Sequence, residues 1–332
     1  MAIRIRRREL IVTLGSAAAA WPLAARAQSE RVRRISALMG QAEDDPDREV
    51  RVAAFAQGLQ QLGWTIGGNV RIDYRWATSD VERSRYAAEL VALKPDILFA
   101  SSGAIVGALQ QVTRTVPIVF VTVIDLVGGG WVASPARPDG NATGFASHDF
   151  SVSGKWLELL KEIAPGVTRV AVIRDPSVPA GSGGFAAIQT VAPSLGVELT
   201  PIGVRDASEI EHGITDFARF PNGGLIMVGP GSSVRLHRDL IIRLAAQHRL
   251  PAVYSSRSYV PNGGLIAYAD DPVDQFRRAA GYIDRILKGE KPADLPVQAP
   301  TKYQLIINLK TAKALGVDLP PSVVARADEV IE

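Results

Sequence analysis

The 332-residue chain carries 37 Lys and Arg residues against 34 Asp and Glu residues, and it has no cysteine. Five of the arginines lie in residues 1–27, so the rest of the chain is nearly balanced and lacks the concentrated basic patch of a nucleic-acid surface. The absence of cysteine excludes disulfides and a lipoprotein anchor, and a chain of this length buries an adequate core without disulfides.

Residues 1–27 have the order of an export signal. Residues 6–8 are three arginines, 10–20 form a short apolar run, and 25–27 are a small-x-small cleavage site. The apolar run is shorter than the roughly 20 residues that span a membrane. The pair Arg7-Arg8 favours twin-arginine export over the general secretory route. We therefore expect a soluble periplasmic chain after cleavage of this signal.

The first half of the mature chain alternates short apolar runs with amphipathic stretches. Strands are predicted at 34–39, 70–76, 97–101 and 117–123, and helices at 48–62, 81–93 and 104–113. In the first of these helices the apolar residues recur at three- and four-residue spacing, which gives one buried face. Alternation of this kind predicts a parallel sheet with right-handed crossovers.

A segment rich in Gly and Pro, residues 125–144, interrupts this alternation and is predicted to be a linker. The alternation then restarts, with strands at 169–174, 197–204, 224–228 and 252–254, and helices at 153–163, 184–195, 208–217 and 235–247. The last part has a strand at 263–268, a helix at 272–287, short extended pieces at 296–300 and 304–307, and a helix at 308–315.

Two runs of strand–helix units predict an α/β protein with two Rossmann-like lobes, each built on a parallel sheet. We expect residues 28–124 to form the first lobe, completed by about 262–290, and residues 125–261 to form the second, braced by part of 291–332. The carboxyl ends of two parallel sheets then face one cleft, and small ligands bind at such places.

Polar residues and tyrosines that follow the predicted strands are the candidate ligand contacts. Serine hydroxyls and free N–H groups at a helix start hold a carboxylate, isolated aspartates hold a cationic group, and tyrosines cover an apolar side chain. The candidates are Ser101, Ser102, Gly103, Asp125, Asp175, Gly229, Tyr254, Tyr268 and Asp270. For Asp125 and Asp175 the alternative is an ordinary turn residue before a loop.

Signals for catalysis are weak. The four histidines stand singly, and no nucleophile elbow, Walker loop or GxGxxG sequence is present. Gly181-Ser182-Gly183-Gly184 is predicted to open a helix, as an anion-binding turn or an ordinary loop. Asp44-Asp45-Pro46-Asp47 fits no calcium loop and is better explained as an acidic helix start. The sequence thus predicts no catalytic residue, no metal and no cofactor.

Several stretches, in order along the chain, resemble one known family. They are PIVFV with the following DLVG (117–121 and 125–128), ARPDGNATG (136–144), AAGYIDRILKGEKPADLPV (279–297), INLKTAKALG (307–316) and RADEVI (326–331). The chain resembles the substrate-binding proteins of ABC transporters, in the group that includes tryptophan- and tyrosine-uptake proteins. Leu126, Asp139 and Ala142 differ from the family's commonest residues, and the loop 177–184 matches no segment of the family. The resemblance therefore does not identify the ligand.

The resemblance implies a type I periplasmic-binding fold and no catalysis. It implies a small-molecule ligand, with an amino acid, and an aromatic one, as the first candidate. The partner would be an ABC permease with its ATPase, and a monomer is the usual state of this architecture. An alternative is a periplasmic ligand sensor that partners a membrane receptor or kinase. A further one, an exported α/β hydrolase, needs a nucleophile–base pair that the sequence does not show.

Overall fold

The computed structural model describes residues 31–147, 150–176, 179–229, 234, 236–300 and 302–332. The predicted export signal, residues 1–27, lies outside this range. No helix in the described part of the chain is both long and apolar enough to cross a membrane. The described residues form two α/β lobes, as the strand–helix alternation predicts.

The first lobe contains a five-stranded parallel sheet in the order β2-β1-β3-β4-β5. Its strands are β1 (Arg33–Met39), β2 (Val70–Trp76), β3 (Ile97–Ser101), β4 (Ile118–Val123) and β5 (Ala142–Ala146). The helices of its first half are α1 (Arg48–Gln61), α2 (Asp80–Ala92) and α3 (Gly103–Val112). Every predicted element in this part is confirmed to within a few residues.

The second lobe contains a seven-stranded sheet in the order β12-β11-β10-β9-β8-β6-β7, in which only the β10–β11 pair is antiparallel. Its strands are β6 (Arg169–Arg174), β7 (Glu198–Gly203), β8 (Gly223–Met227), β9 (Ala252–Tyr254), β10 (Ile266–Ala269), β11 (Gln304–Asn308) and β12 (Glu329–Ile331). The helices that follow β5 along the chain, in either lobe, are α4 (Ser151–Ile163), α5 (Pro179–Val191), α6 (Ala207–Phe217), α7 (Arg238–Gln247), α8 (Pro272–Leu287), α9 (Leu309–Leu315) and α10 (Pro321–Ala325).

The boundary between the lobes lies later than the sequence predicts. Residues 125–144 were expected to be a linker, but β5 pairs with β4 and extends the first sheet. Gly144 makes this possible, because a Cβ atom there would lie 2.0 Å from the carbonyl oxygen of Phe120. The chain therefore enters the second lobe only after Ala146, and Gly144, one of the glycines that suggested a linker, permits close strand packing instead.

The region 262–290 is divided between the lobes. Strand β10 belongs to the second sheet, whereas α8 returns to the first lobe and packs on α1. The chain crosses once more, since Val297 donates its N–H to the carbonyl of Pro135 and Gln298 donates to Gly144 before β11 rejoins the second sheet. Three crossings thus join the two lobes.

The glycine-rich sequence 181–184 lies inside α5 rather than in the loop before it. A Cβ at Gly181 would approach the carbonyl oxygen of Asp175 to 2.3 Å, and one at Gly183 would meet the ring of Phe150 at 2.4 Å. These glycines allow α5 to lie close to its neighbours. The sequence thus lies in the first turns of α5, and its interpretation as an anion-binding turn stays a prediction.

An aromatic cluster holds α1 and α8 to the first sheet. The rings of Phe55 and Phe99 stack with centroids 4.4 Å apart, and Phe276 meets Phe99 edge-on at 5.4 Å. All three side chains are fully buried. Packing of this kind is stronger than the buried area alone provides, so α8 is an integral part of the first lobe although it is distant in sequence.

Two helical glycines provide a matched test of the contact between α1 and α8. At Gly58 a Cβ would lie 2.6 Å from the carbonyl oxygen of Arg277, whereas a Cβ at Gly281 meets nothing within 4 Å. We expect Gly58→Ala to lower the free energy of unfolding by about 1–3 kcal/mol, because the helices must separate. Gly281→Ala should raise it by about 0.5–1 kcal/mol, since alanine is the better helix former.

Urea denaturation, monitored by circular dichroism, measures the change in the free energy of unfolding for both variants. Equal effects of the two substitutions would show that α1 and α8 do not meet as closely as the structure places them.

Candidate functional site

A cavity lies between the lobes, where the carboxyl ends of both sheets meet. We call it the inner cavity; its volume is about 70 Å³. The described residues that line it are Gly40, Gln41, Arg51, Ser101, Ser102, Thr122, Ser147, Met227, Gly229, Ser255, Ser256, Tyr259, Asp270 and Pro272. Four of the nine predicted contacts are among them: Ser101, Ser102, Gly229 and Asp270. Parallel strands place such residues together because their carboxyl ends share one edge.

A wider space of about 490 Å³ adjoins the inner cavity, and we call it the outer chamber. Its described lining residues are Gln41, Ala42, Asp44, Asp45, Pro46, Asp47, Thr78, Leu236, Arg238, Asp239 and Ser258. Residues of both lobes contribute, and Gln41 belongs to both linings. The acidic sequence at 44–47 precedes α1, as predicted, and it also forms one wall of this chamber.

The first-lobe wall is built from the ends of β1 and β3. The hydroxyl of Ser101 accepts a hydrogen bond of 2.9 Å from the N–H of Gly40, which joins the two strand ends. A Cβ at Gly40 would lie 2.6 Å from the hydroxyl oxygen of Ser102. Glycine is therefore required at position 40 for the two serines to occupy this edge.

Ser102 has a backbone conformation that is nearly restricted to glycine. Its φ is 87° and its ψ is 153°, and a non-glycine residue in this region carries about 1–3 kcal/mol of strain. Ser102 is the N-cap residue of α3, but its side chain makes no capping hydrogen bond. Its hydroxyl is thus held in the wall of the cavity instead of being used to cap the helix.

Asp270 connects the second sheet to the first lobe. Its carboxyl group is buried, with 5% of the residue exposed. One oxygen, Oδ2, accepts hydrogen bonds from the hydroxyl of Ser147 at 2.9 Å and from Nε2 of Gln275 at 2.6 Å. The amide oxygen of Gln275 in turn accepts the N–H of Thr122 at 2.8 Å. Both of these donors are neutral groups, and together they fix the orientation of the carboxylate.

Arg51 supplies a positive charge to the lining of the inner cavity. The sequence analysis did not predict this residue as a ligand contact. Only 5% of the residue is exposed. Its Nη2 lies 2.9 Å from a carboxylate oxygen of Asp47, and its Nη1 donates to Oε1 of Gln41 at 3.4 Å. The sequence did contain a signal, because Arg51 shares the buried face of α1 with Phe55, and a charge on an apolar face needs an explanation.

The two predicted tyrosine walls lie elsewhere. Tyr254 is in the core of the second lobe, where its ring stacks on Tyr259 at 4.7 Å and burial raises its pKa. Tyr259 lines the inner cavity in its place, and its hydroxyl donates to the carbonyl of Val234 at 3.2 Å. Tyr268 stacks on Tyr303 with centroids 5.4 Å apart and is not part of the described lining.

Three further candidates, Gly103, Asp125 and Asp175, also lie outside the described lining. The Asp125 carboxylate accepts a hydrogen bond of 3.0 Å from the N–H of Gly128, as the alternative of an ordinary turn residue predicts. Asp175 is buried and directly follows β6. Gly103 accommodates a tryptophan, since a Cβ there would lie 2.6 Å from the indole nitrogen of Trp131. These residues shape the loops around the site.

Two α/β lobes with a polar cavity at the facing ends of their sheets define a bilobal solute-binding protein. The chain belongs to the family of ABC transporter substrate binding proteins, whose model matches residues 41–331. Among curated proteins it is similar to the tyrosine-binding protein of Clostridioides difficile (strain R20291), with 26% identity over 284 residues, 83% of this chain and 79% of that protein.

Solved structures agree with the predicted type I periplasmic-binding fold. A conserved domain protein from Vibrio cholerae has a TM-score of 0.83 and 25% identity, with 90% of this chain and 100% of that chain covered. The ABC domain in complex with L-Trp from Streptococcus pneumonia has a TM-score of 0.82 and 22% identity, over 90% and 99%. A ligand-free, open substrate binding protein from Clostridium difficile has a TM-score of 0.68 and 23% identity, over 90% and 99%.

The strain at Ser102 can be measured by substitution. Ser102→Gly removes the strain and the hydroxyl, whereas Ser102→Ala removes only the hydroxyl. We expect the glycine variant to be more stable than the alanine variant by about 1 kcal/mol, because relief of strain exceeds the entropy cost of glycine. Chemical denaturation of the ligand-free variants measures the difference; an alanine variant as stable as the glycine variant would contradict it.

Proposed function

We propose that this protein captures an amino acid between its two lobes and delivers it to an ABC permease with its ATPase. One observation supports this proposal above the others: a buried carboxylate and a buried guanidinium both line the inner cavity, together with the serines at the start of α3. An amino acid carries one group complementary to each. Binding, rather than catalysis, is the role that family membership supports.

Asp270 is the proposed partner of the ligand's ammonium group. It directly follows the second-lobe strand β10 and lines the cavity. Hydrogen bonds from Ser147 and Gln275 to Oδ2 fix the carboxylate, so that it is already oriented before a ligand arrives. A charge-assisted hydrogen bond to a fixed, buried carboxylate is about twice as strong as a neutral one, which gives this contact a large share of the affinity.

Ser102, Arg51 and the first turn of α3 are the proposed partners of the ligand's carboxylate. The N–H groups at the start of a helix lack intrahelical partners, and the helix dipole favours a negative charge there. The Ser102 hydroxyl adds a donor because it does not cap the helix. Arg51 adds the compensating charge and is held in place by Asp47.

Closure of the lobes follows from the position of the cavity. Both lobes line it, and a ligand that touches both stabilises the closed arrangement by its differential affinity for the two states. One chain supplies both walls, so a monomer suffices.

Removal of the charge on Asp270 tests the proposed function. We expect Asp270→Asn to weaken binding of the amino acid that the wild type prefers by about 30-fold or more, because the ligand's ammonium loses its buried counter-charge. Asp294→Asn, on the exposed surface, is the matched control and should bind as the wild type does. Isothermal titration calorimetry against a panel of amino acids, sugars and purines measures the affinities.

Two results would overturn the proposal. One is a wild-type chain that binds a sugar or purine but no amino acid. The other is an Asp270→Asn variant that folds normally and keeps full amino-acid affinity.

Export through the twin-arginine route is a second part of the proposal, supported by residues 1–27 alone. We expect the chain recovered from the periplasm to begin at Gln28, as measured by its intact mass. Replacing Arg7-Arg8 by two lysines should abolish its export, since the pair is the recognised feature of this signal. Undiminished export of the lysine variant would identify the general secretory route instead.

A further inference from the structure

Gln41 has an unpaired donor at the junction of the inner cavity and the outer chamber. Only 3% of the residue is exposed, and its Nε2 has no hydrogen-bond partner among the residues that the structure describes. No other described residue belongs to both linings. Buried polar groups are almost always hydrogen-bonded in folded proteins, so an orphan donor in the wall of a binding cavity indicates a partner on the ligand.

The orientation of this amide is fixed by Arg51. The guanidinium group has only donors, so it must face the amide oxygen of Gln41 rather than the nitrogen. The distance from Nη1 of Arg51 to Oε1 of Gln41 is 3.4 Å, and Asp47 holds the guanidinium through a contact of 2.9 Å. The NH₂ end of Gln41 is therefore the end available to a ligand.

Beyond Gln41 the outer chamber presents mainly acceptors. Asp44, Asp45 and Asp239 line it, and its one described cation, Arg238, is paired with Asp239 at 3.1 Å. A ligand side chain that extends from the inner cavity into this chamber meets a donor first and carboxylates next. A hydroxyl or a carboxamide satisfies both, because each of these groups accepts and donates hydrogen bonds.

We propose that Gln41 is a specificity-determining residue, which selects amino acids whose side chain carries a hydroxyl or carboxamide over those with a hydrocarbon or thioether side chain of similar shape. The inference rests on the proposed function, because it assigns the amino-acid head to the inner cavity. A ligand without an acceptor leaves the Gln41 amide buried and unpaired. That loss corresponds to about 10- to 100-fold in affinity.

Pairs of similarly shaped ligands test the proposal. The probes are L-tyrosine with L-phenylalanine and L-glutamine with L-methionine, titrated calorimetrically into the mature chain. Gln41→Met keeps the length of the side chain and removes both its unpaired donor and the oxygen that accepts from Arg51. In at least one pair we expect the wild type to prefer the polar ligand by about 10-fold or more, and the variant's preference to fall below about 5-fold. Gln60→Met, on the exposed face of α1, is the matched control.

Thermal unfolding without ligand separates recognition from a structural role. Gln41→Glu is the variant for this measurement, because it removes the unpaired donor and keeps the oxygen that accepts from Arg51. Its midpoint should be unchanged or raised, whereas substitution of a residue whose donor mainly supports the fold would lower it.

Three outcomes overturn the inference: a wild type that prefers the apolar member of each pair, a Gln41→Met variant that keeps the wild-type preference, or a Gln60→Met variant that loses it equally. Failure of all amino acids to bind the wild type would instead overturn the proposed function, and this inference with it.

Discussion

The carboxylate of Asp270 lies at the point where the second sheet ends and the returning helix α8 begins. Gln275, one turn into that helix, donates to the carboxylate and accepts the N–H of Thr122 in the first sheet. A single side-chain amide thus connects the strand ends of both lobes through the group proposed to bind the ligand's cation. The positions of β10, α8 and β4 all depend on this arrangement, because a buried carboxylate is tolerated only with its hydrogen bonds satisfied.

Two departures from ordinary local structure lie in the wall of the inner cavity. Ser102 adopts a conformation suited to glycine, and Gln41 keeps an unpaired donor. Elsewhere in the first lobe, the aromatic contact between Phe55 and Phe99 and the capping box at Ser79 follow ordinary packing and hydrogen-bonding preferences. Proteins commonly accept such local costs at functional sites.

Most of the fold could be predicted from the spacing of apolar residues, because buried parallel strands and amphipathic helices have distinct periods. Strand β5 could not be predicted in this way, because it contains a glycine and follows a segment rich in Gly and Pro, so its sequence resembles a linker. That glycine, Gly144, lies close to the backbone of the neighbouring strand. Four of the nine candidate residues line the inner cavity, whereas the candidate at the end of β9 does not. Tyr254 ends β9 and points into the core, and the next residue, Ser255, lines the cavity instead. Successive side chains of a strand point in opposite directions, so an error of one residue reverses the assignment.

The return of α8 to the first lobe has a consequence for folding during synthesis. The helix that covers Phe55 and Phe99 ends at Leu287, so a ribosome must make most of the chain before the first lobe can bury its own aromatic residues. Contacts between such distant segments form slowly, because a long loop must close first. The amino-terminal half of a nascent chain therefore lacks the helix that covers its aromatic residues for most of translation.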